Sequence, residues 1–462
     1  MIGWIHRARR TQTISPRNRT RALSYFVAIN LLRIAILAGT SDNSFFQADY
    51  AWPPLFLWIA EKMRFPRFLA CGGTFFLTVF VLSADTLSAE SQRFHWGIEA
   101  IPQFLGAYHD LPWALILPVA AVILALAIIA TAGLFVARRR PLAIWPLLMV
   151  FGLLSVADLI AGTGRYRAVY GKYNILTAAS QSLVSTYAGM MKEPSFTPIR
   201  QGTMYSNIAF GNPPSQILSI AFESYGLAWR KDRRDALIAP LLKEVSGLYV
   251  IDRASHHFQG NTFQGEVREL CGLQMQGYPR TGKLSTGFDQ CLPARLARRG
   301  YDTWALHGNG GEFYSRKTFY PLLGFRHAEF YDDFKRRSDR KPQCSGTVFQ
   351  GICDEQVYER ALSLFDGKRR FVHVMTLDTH LPVRSAQFPS CSASFEDDSG
   401  LCGYDRLVER SMRQLGAALR RAKSKPDVIF IYGDHAPPFA GQADRDVFHH
   451  DRIPFLRLRR LS

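Results

Sequence analysis

The sequence predicts two architectures in series. An N-terminal transmembrane bundle of about five helical spans is followed by an α/β domain whose mostly parallel sheet is covered by helices on both faces. Three observations carry this. Long apolar runs dominate residues 1–161. From about residue 215 onward, strand-like and helix-like segments alternate, the pattern of a parallel sheet with crossover helices. The run IFIYGDHAPPF, residues 429–439, reads as the last strand and stops at Gly433, with Asp434 and His435 side by side. Ligands bind at the carboxyl edge of such sheets. A carboxylate beside an imidazole there suits one divalent metal, Zn²⁺ or Mn²⁺, with Mg²⁺ a third candidate.

The spans are taken in order. Residues 111–137 are apolar throughout and 141–161 nearly so; each covers the ~20 residues that a membrane helix needs. Residues 68–84 and 22–39 are two more, the latter with Arg33 inside it. Segment 50–60 is short and interrupted by Pro53 and Pro54. The acid-free N-terminus carries Arg7, Arg9, Arg10, Arg17, Arg19 and Arg21, and Arg138, Arg139 and Arg140 form a second basic turn. Both are cytoplasmic by the positive-inside rule, which requires an even number of crossings between them. Keeping segment 50–60 gives four, and 141–161 then delivers the rest of the chain to the outside. Loop 85–110 would be external, as an interfacial helix or a packed loop. The apolar stretch begins late and no small-residue site closes it, so no cleavable signal peptide is expected. The net charge of +18 is explained by this arginine bias, and a nucleic-acid partner is not expected. The domains are therefore 1–161 (transmembrane), 162–214 (connector) and 215–462 (external).

In the external domain, strands are expected at 216–222, 247–251, 301–306, 370–376 and 427–432. Helices are expected near 230–244, 263–272, 292–299, 354–366 and 404–423. Six of the seven cysteines, Cys271, Cys291, Cys344, Cys353, Cys391 and Cys402, lie in this domain. An even number on the external side points to disulfides. Pairing of sequence neighbours (271–291, 344–353, 391–402) is the simplest of the 15 arrangements that six cysteines allow.

The chemistry follows from strand ends. Strand 216–222 ends in Glu223 of FESYG. A lone glutamate there is ordinarily a solvated loop residue, but with Asp434 and His435 it makes three potential ligands at predicted strand ends. In GNTFQGEVRELCGL, Gly260 and Asn261 form a turn, and Thr262 is expected at the N-cap of an amphipathic helix. Its plain reading is a cap. Its functional reading is a nucleophile, with its hydroxyl ionised by a metal and the helix N-terminus favouring a phosphate.

Together FESYG, GNTFQGEVRELCGL, RGYDTWALHGNGGEFYSRKTFYPLLGF, LDTHLPV and YGDHAPPF resemble the sulfatase/alkaline-phosphatase superfamily. Within it they look like the membrane-anchored lipoteichoic-acid synthase and phosphoethanolamine transferase group. The resemblance covers roughly residues 215–455, and the membrane part by architecture only. It implies Glu223, Thr262, Asp434 and His435 as metal ligands, with Thr262 the nucleophile. It implies His380 beside the transferred group or leaving group, and Arg316 of FYSR as the phosphate grip. Tyr314 and Asn309 stand where the family has a tryptophan and an acidic residue at the head group. His450, or His449, matches a late histidine. His307 reads either as a site-lining residue or as a plain strand-end histidine. The implied enzyme is an inner-membrane, multi-pass transferase with a periplasmic catalytic domain. It moves phosphoglycerol, or phosphoethanolamine, from a phospholipid donor in the membrane to a glycan or lipid acceptor.

Two alternatives stand beside this. Cys291-Leu-Pro-Ala-Arg295 fits the C-x-P-x-R signature of sulfatases, whose cysteine becomes formylglycine, so a sulfuric or phosphoric ester hydrolase is the first. The second is a catalytically inactive envelope-assembly protein.

Overall fold

A computed structural model describes residues 21–37, 48–94, 113–136, 144–150, 195–199, 202–208, 212–258, 260–276, 288–337, 351–381, 383, 391, 400–439 and 442–461. The chain divides into two compact units, Met1–Ala89 with Ile116–Val184, and Glu90–Leu115 with Ser185–Ser462.

The first unit holds helices Arg21–Leu37 and Trp52–Lys62 and most of helices Arg67–Phe94 and Trp113–Val136. Pro53 and Pro54 do not interrupt the second of these; they occupy its first turn, where a missing N–H is harmless. That helix has 11 residues and spans only ~16 Å at 1.5 Å per residue, against ~30 Å of hydrocarbon. Among the described residues one helix, Ile116–Phe135, is long and apolar enough to cross a membrane; Ala22–Leu32 and Arg67–Ser83 are shorter apolar stretches. The five-span count is thus not matched by the described helices. The 138–140 turn and residues 151–161 lie outside them. Of loop 85–110, residues 85–94 instead continue the Arg67–Phe94 helix, and the rest lies outside the described residues. Inside this helix Thr74 and Thr78 are buried and donate to the carbonyls four residues back, at 2.7 and 2.8 Å, so neither hydroxyl is left unpaired.

The second unit is the α/β domain. Its seven-stranded sheet runs β3 (Tyr249–His257), β9 (Arg452–Arg460), β8 (Val428–Gly433), β2 (Gln216–Phe222), β7 (Arg370–Met375), β5 (Asp302–His307), β6 (His327–Glu329). All pairs from β8 to β6 are parallel. β9 is antiparallel to both its neighbours. The last strand is therefore β9, not the strand expected at 427–432. Every residue of β2 and β8 is buried, the signature of strands covered on both faces.

Helices Lys231–Val245, Asp354–Ser363 and Leu401–Arg421 pack one apolar core on one face. Thr262–Cys271, Leu292–Ala297 and Arg316–Leu323 pack a second core on the other. A small two-stranded sheet, β1 (Ser195–Pro198) with β4 (Leu273–Gln276), links the end of the connector to the segment after Cys271. Disulfides join Cys271 to Cys291 and Cys391 to Cys402. Cys353 is also disulfide-bonded; Cys344 lies outside the described residues, and Cys71 is a free thiol.

Candidate metal centre and active site

β2 and β8 are neighbours at the centre of the sheet, so their carboxyl ends put Glu223 and Asp434 side by side. Register pairs Phe222 with Gly433, one residue before each. Glu223 is 3% exposed and Asp434 fully buried. His435 Nε2 lies 3.4 Å from Asp434 Oδ2 and 3.5 Å from Glu223 Oε1. One ligand atom from each of the three lies within 4.8 Å of the others.

The local contacts orient this set. The amides of Ser224 and His435 both donate to Asp434 Oδ1, each at 2.7 Å. Asp434 Oδ2 is buried with no hydrogen-bond partner. Glu223 Oε1 accepts from the Ser224 hydroxyl at 2.8 Å. His435 Nδ1 lies 2.9 Å from the carbonyl of Ala436; an N–H there donates to it and turns Nε2 to the carboxylates. Against burial, the charges of those carboxylates raise the imidazole's pKa. Burial and the Glu223 charge push the Asp434 carboxyl up to about 7. Two buried carboxylates, a turned imidazole and an orphaned oxygen form the donor set a divalent cation accepts, so the residues present fit a metal.

Thr262 joins them through the other face. The N-cap of helix Thr262–Cys271 is Asn261, in a capping box with Gln264, and Thr262 is the first helical residue. The expected cap is thus displaced by one position, which frees the Thr262 hydroxyl to hydrogen-bond Asp434. Thr262 is 6% exposed. The helix reaches the strand end because position 265 is glycine: a Cβ there would sit 2.6 Å from the Asp434 carbonyl oxygen.

His380 reaches the same carboxylate from the loop after β7. Its Nε2 lies 3.9 Å from Glu223 Oε1 and its Nδ1 2.6 Å from the Leu381 carbonyl. Burial lowers its pKa to about 4, so it is neutral at pH 7.

Beneath this centre lies a second buried network that sequence reasoning missed. Glu266, one helical turn after Thr262, is fully buried. It accepts from Tyr320 at 2.6 Å and from Arg316 Nη2 at 3.0 Å, and His373 Nε2 stands 3.4 Å away. Burial alone would raise its pKa, but Arg316 and His373 overcome that and hold it at about 2. Arg316, expected to grip phosphate, is 2% exposed and turns both Nε and Nη2 to Glu266. The available signal was the run EVRE at 266–269, whose charged residues Glu266, Arg268 and Glu269 are all buried; charges on the core face of a helix require partners.

The remaining candidates separate. Tyr314 packs its ring 5.2 Å from the Arg316 guanidinium and 6.0 Å from Phe263. It and Ser315 both have positive φ, 54° and 52°, a conformation costly for non-glycine residues and concentrated at functional sites. His307 is buried, with Nδ1 2.9 Å from the Met375 carbonyl, and burial lowers its pKa to about 3. Asn309, 5% exposed, accepts from the Gly310 amide. His450 is not drawn into the cluster; it is exposed and pairs with Asp446 at 3.2 Å. His449 stacks on the exposed Trp229. Cys291 is spent in its disulfide with Cys271 and precedes helix Leu292–Ala297 as its N-cap, which removes the formylglycine reading.

The sulfatase family model matches residues 253–457. These residues form a sulfatase-family domain. The match takes in Thr262, Arg316, His380, Asp434 and His435, while Glu223 lies before it and is brought in by β2. Similar solved structures include the lipoteichoic acid synthase LtaP from Listeria monocytogenes, 16% identical over 52% of this chain and 65% of that one, TM-score 0.39. Streptococcus pyogenes phosphoglycerol transferase GacH is 17% identical over 62% and 76%, TM-score 0.39. The C-terminal periplasmic domain of EcEptC from Escherichia coli, in complex with Zn, is 15% identical over 58% and 76%, TM-score 0.37. This chain thus spans less than two thirds of the Listeria protein. No curated protein matches the sequence.

Proposed function

We propose that the protein is a membrane-anchored, metal-dependent transferase. It would move a phospho-head-group, phosphoglycerol before phosphoethanolamine, from a phospholipid to a cell-envelope glycan or lipid. The observation that carries the proposal is the meeting of Thr262 with Glu223, Asp434 and His435 around an orphaned, buried carboxylate oxygen. In this reading residues 1–161 are the membrane domain with about five spans, 162–214 the connector and 215–462 the periplasmic catalytic domain. Disulfides in that domain support the placement.

A divalent cation would be held by Glu223, Asp434, His435 and Thr262, and would supply Lewis-acid charge and a lowered pKa at the Thr262 hydroxyl. In the first half-reaction Thr262 Oγ forms a bond to phosphorus as the bond to the diacylglycerol oxygen breaks. That oxygen takes up a proton, and Thr262 has lost its own. In the second half-reaction the acceptor hydroxyl loses a proton and its oxygen displaces Thr262 from phosphorus. Neutral His380 is the group suited to take the acceptor proton. Tyr314 and Asn309 are the contacts for the head-group hydroxyls, and Arg316, paired with Glu266, backs the Tyr314 ring. The neutral Asn309 favours glycerol over a cationic ethanolamine.

The test is diacylglycerol release by the purified full chain from phosphatidylglycerol, with mass spectrometry for phosphate on Thr262. Release from phosphatidylethanolamine alone would overturn the head-group choice. Release from neither lipid, by metal-loaded protein, would favour the assembly-protein alternative.

A further inference from the structure

A second pair of buried carboxyl groups lies outside the metal centre. Asp354 is the first residue of helix Asp354–Ser363, and Asp378 lies in the loop after β7. They are 1% and 2% exposed. Asp354 Oδ1 accepts from the Leu377 amide at 2.8 Å, and its Oδ2 from the Asp378 amide at 3.1 Å. The bonding is reciprocal, because the Asp354 amide donates to the Asp378 carboxyl. Ser411 adds a longer contact to Asp354 Oδ2 at 3.4 Å and is itself bonded to Tyr358. Burial and their proximity raise the pKa of Asp354, and burial that of Asp378.

Two acids buried together are costly, and a helix start needs only one polar cap. What the arrangement gains lies one residue further on. The Thr379 hydroxyl donates to the Glu223 carbonyl at 2.5 Å. The His380 amide closes a turn on the Leu377 carbonyl at 3.0 Å, which brings His380 Nε2 to 3.9 Å from Glu223 Oε1. This segment is not part of a helix or strand, so its path depends on such bonds.

We propose that Asp354 and Asp378 form a reciprocal clasp that sets the Leu377–His380 segment against Glu223, making Asp354 a positioning residue for His380. The inference rests on the transferase reading only through the role of His380.

The test combines hydrogen exchange with kinetics on the full chain in detergent. In the wild type, the amides of Leu377 and Asp378 should exchange on the order of 10-fold or more slower than an open loop. Free-loop rates would overturn the clasp without any variant. In Asp354→Asn the same amides should lose that protection, while zinc content stays at the wild-type level. Release of diacylglycerol should fall about 10- to 100-fold in kcat, with KM within about 3-fold. Ser411→Ala, which keeps both amide bonds, should behave as wild type in exchange and kcat. Unchanged exchange in Asp354→Asn, or lost protection with unchanged kcat, would overturn the proposal. If the wild type releases diacylglycerol from neither lipid, the transferase reading fails, and the exchange comparison alone decides the clasp.

Discussion

Glu266 and Asp434 are both fully buried carboxylates beside the first turn of helix Thr262–Cys271, yet their environments push them in opposite directions. Around Glu266 the protein supplies Arg316, Tyr320 and His373, and the carboxyl is held near 2 against the pull of burial. Around Asp434 burial is reinforced by Glu223, and the carboxyl rises to about 7. Burial is the same in both cases, so the partners decide. One carboxylate is balanced by the chain itself. The other shares a single facing imidazole, His435, with Glu223 and keeps one buried oxygen without a hydrogen-bond partner. That contrast separates the balanced network from the candidate centre.

The sharpest break in the comparison is at the residue both carboxylates flank. Thr262→Ala should lower turnover on the order of 10³-fold or more. Asn261 is the cap, so stability should change by less than ~1 kcal/mol; activity and thermal melting measure the two sides. The balanced side is tested by Glu266→Gln, which leaves Arg316 buried without its counter-charge and should cost roughly 3–5 kcal/mol in chemical denaturation.

The same carboxyl has an acid signature. Its pKa is lowered from 4.5 to about 2, so its contribution, roughly 3 kcal/mol, is complete above its ordinary value. It is lost as pH falls from about 4.5 toward 2, and Glu266→Gln should flatten that limb. Next in size, Cys291→Ser should cost about 3 kcal/mol from the opened 20-residue loop, yet retain turnover below its melting point. Loss of turnover with formylglycine at position 291 would instead revive the hydrolase. The smallest effect is on the unbalanced side. In chelator-treated protein, Asp434→Asn should change stability by only ~1 kcal/mol, in the stabilising direction, because it removes a buried repulsion. A large loss there would show that Asp434 is balanced by the chain after all.

Much of this contrast was legible in the residues, and the reasons for the gaps are physical. β2 is legible at its observed bounds because six apolar or small residues follow Gln216 and run unbroken to Glu223, and β8 likewise ends one residue before Asp434. Position at a strand end is a strong signal, since the next side chain must face the sheet's edge. β9 was missed because RIPFLRLRR carries four arginines and Pro454, which reads as a surface tail. In the fold three of those arginines answer acids on adjacent segments, Arg457 and Arg459 to Asp252 and Arg460 to Asp427. β1 and β4, four residues each, are too short for periodicity to register. Glu266 was invisible as a functional residue because its partners come from β7 and from helix Arg316–Leu323, a pairing that only tertiary structure reveals. The burial of Arg316 is hidden for the same reason: the sequence shows the cation but not the buried anion beside it.

The antiparallel β9 has a consequence for how the domain is made. β3 pairs with β9 alone, from Tyr249 opposite Arg460 to His257 opposite Arg452, across roughly two hundred intervening residues. Contacts this distant in sequence form slowly, and during synthesis β3 emerges long before the strand it needs. Until β9 arrives, β3 and the outer edge of β8 are exposed strands that invite pairing with other chains. The ribosome therefore delivers the centre of the sheet, with the strand ends that carry Glu223 and Asp434, before the edge that closes it. A chaperone that shields strand edges would have its longest task on this segment.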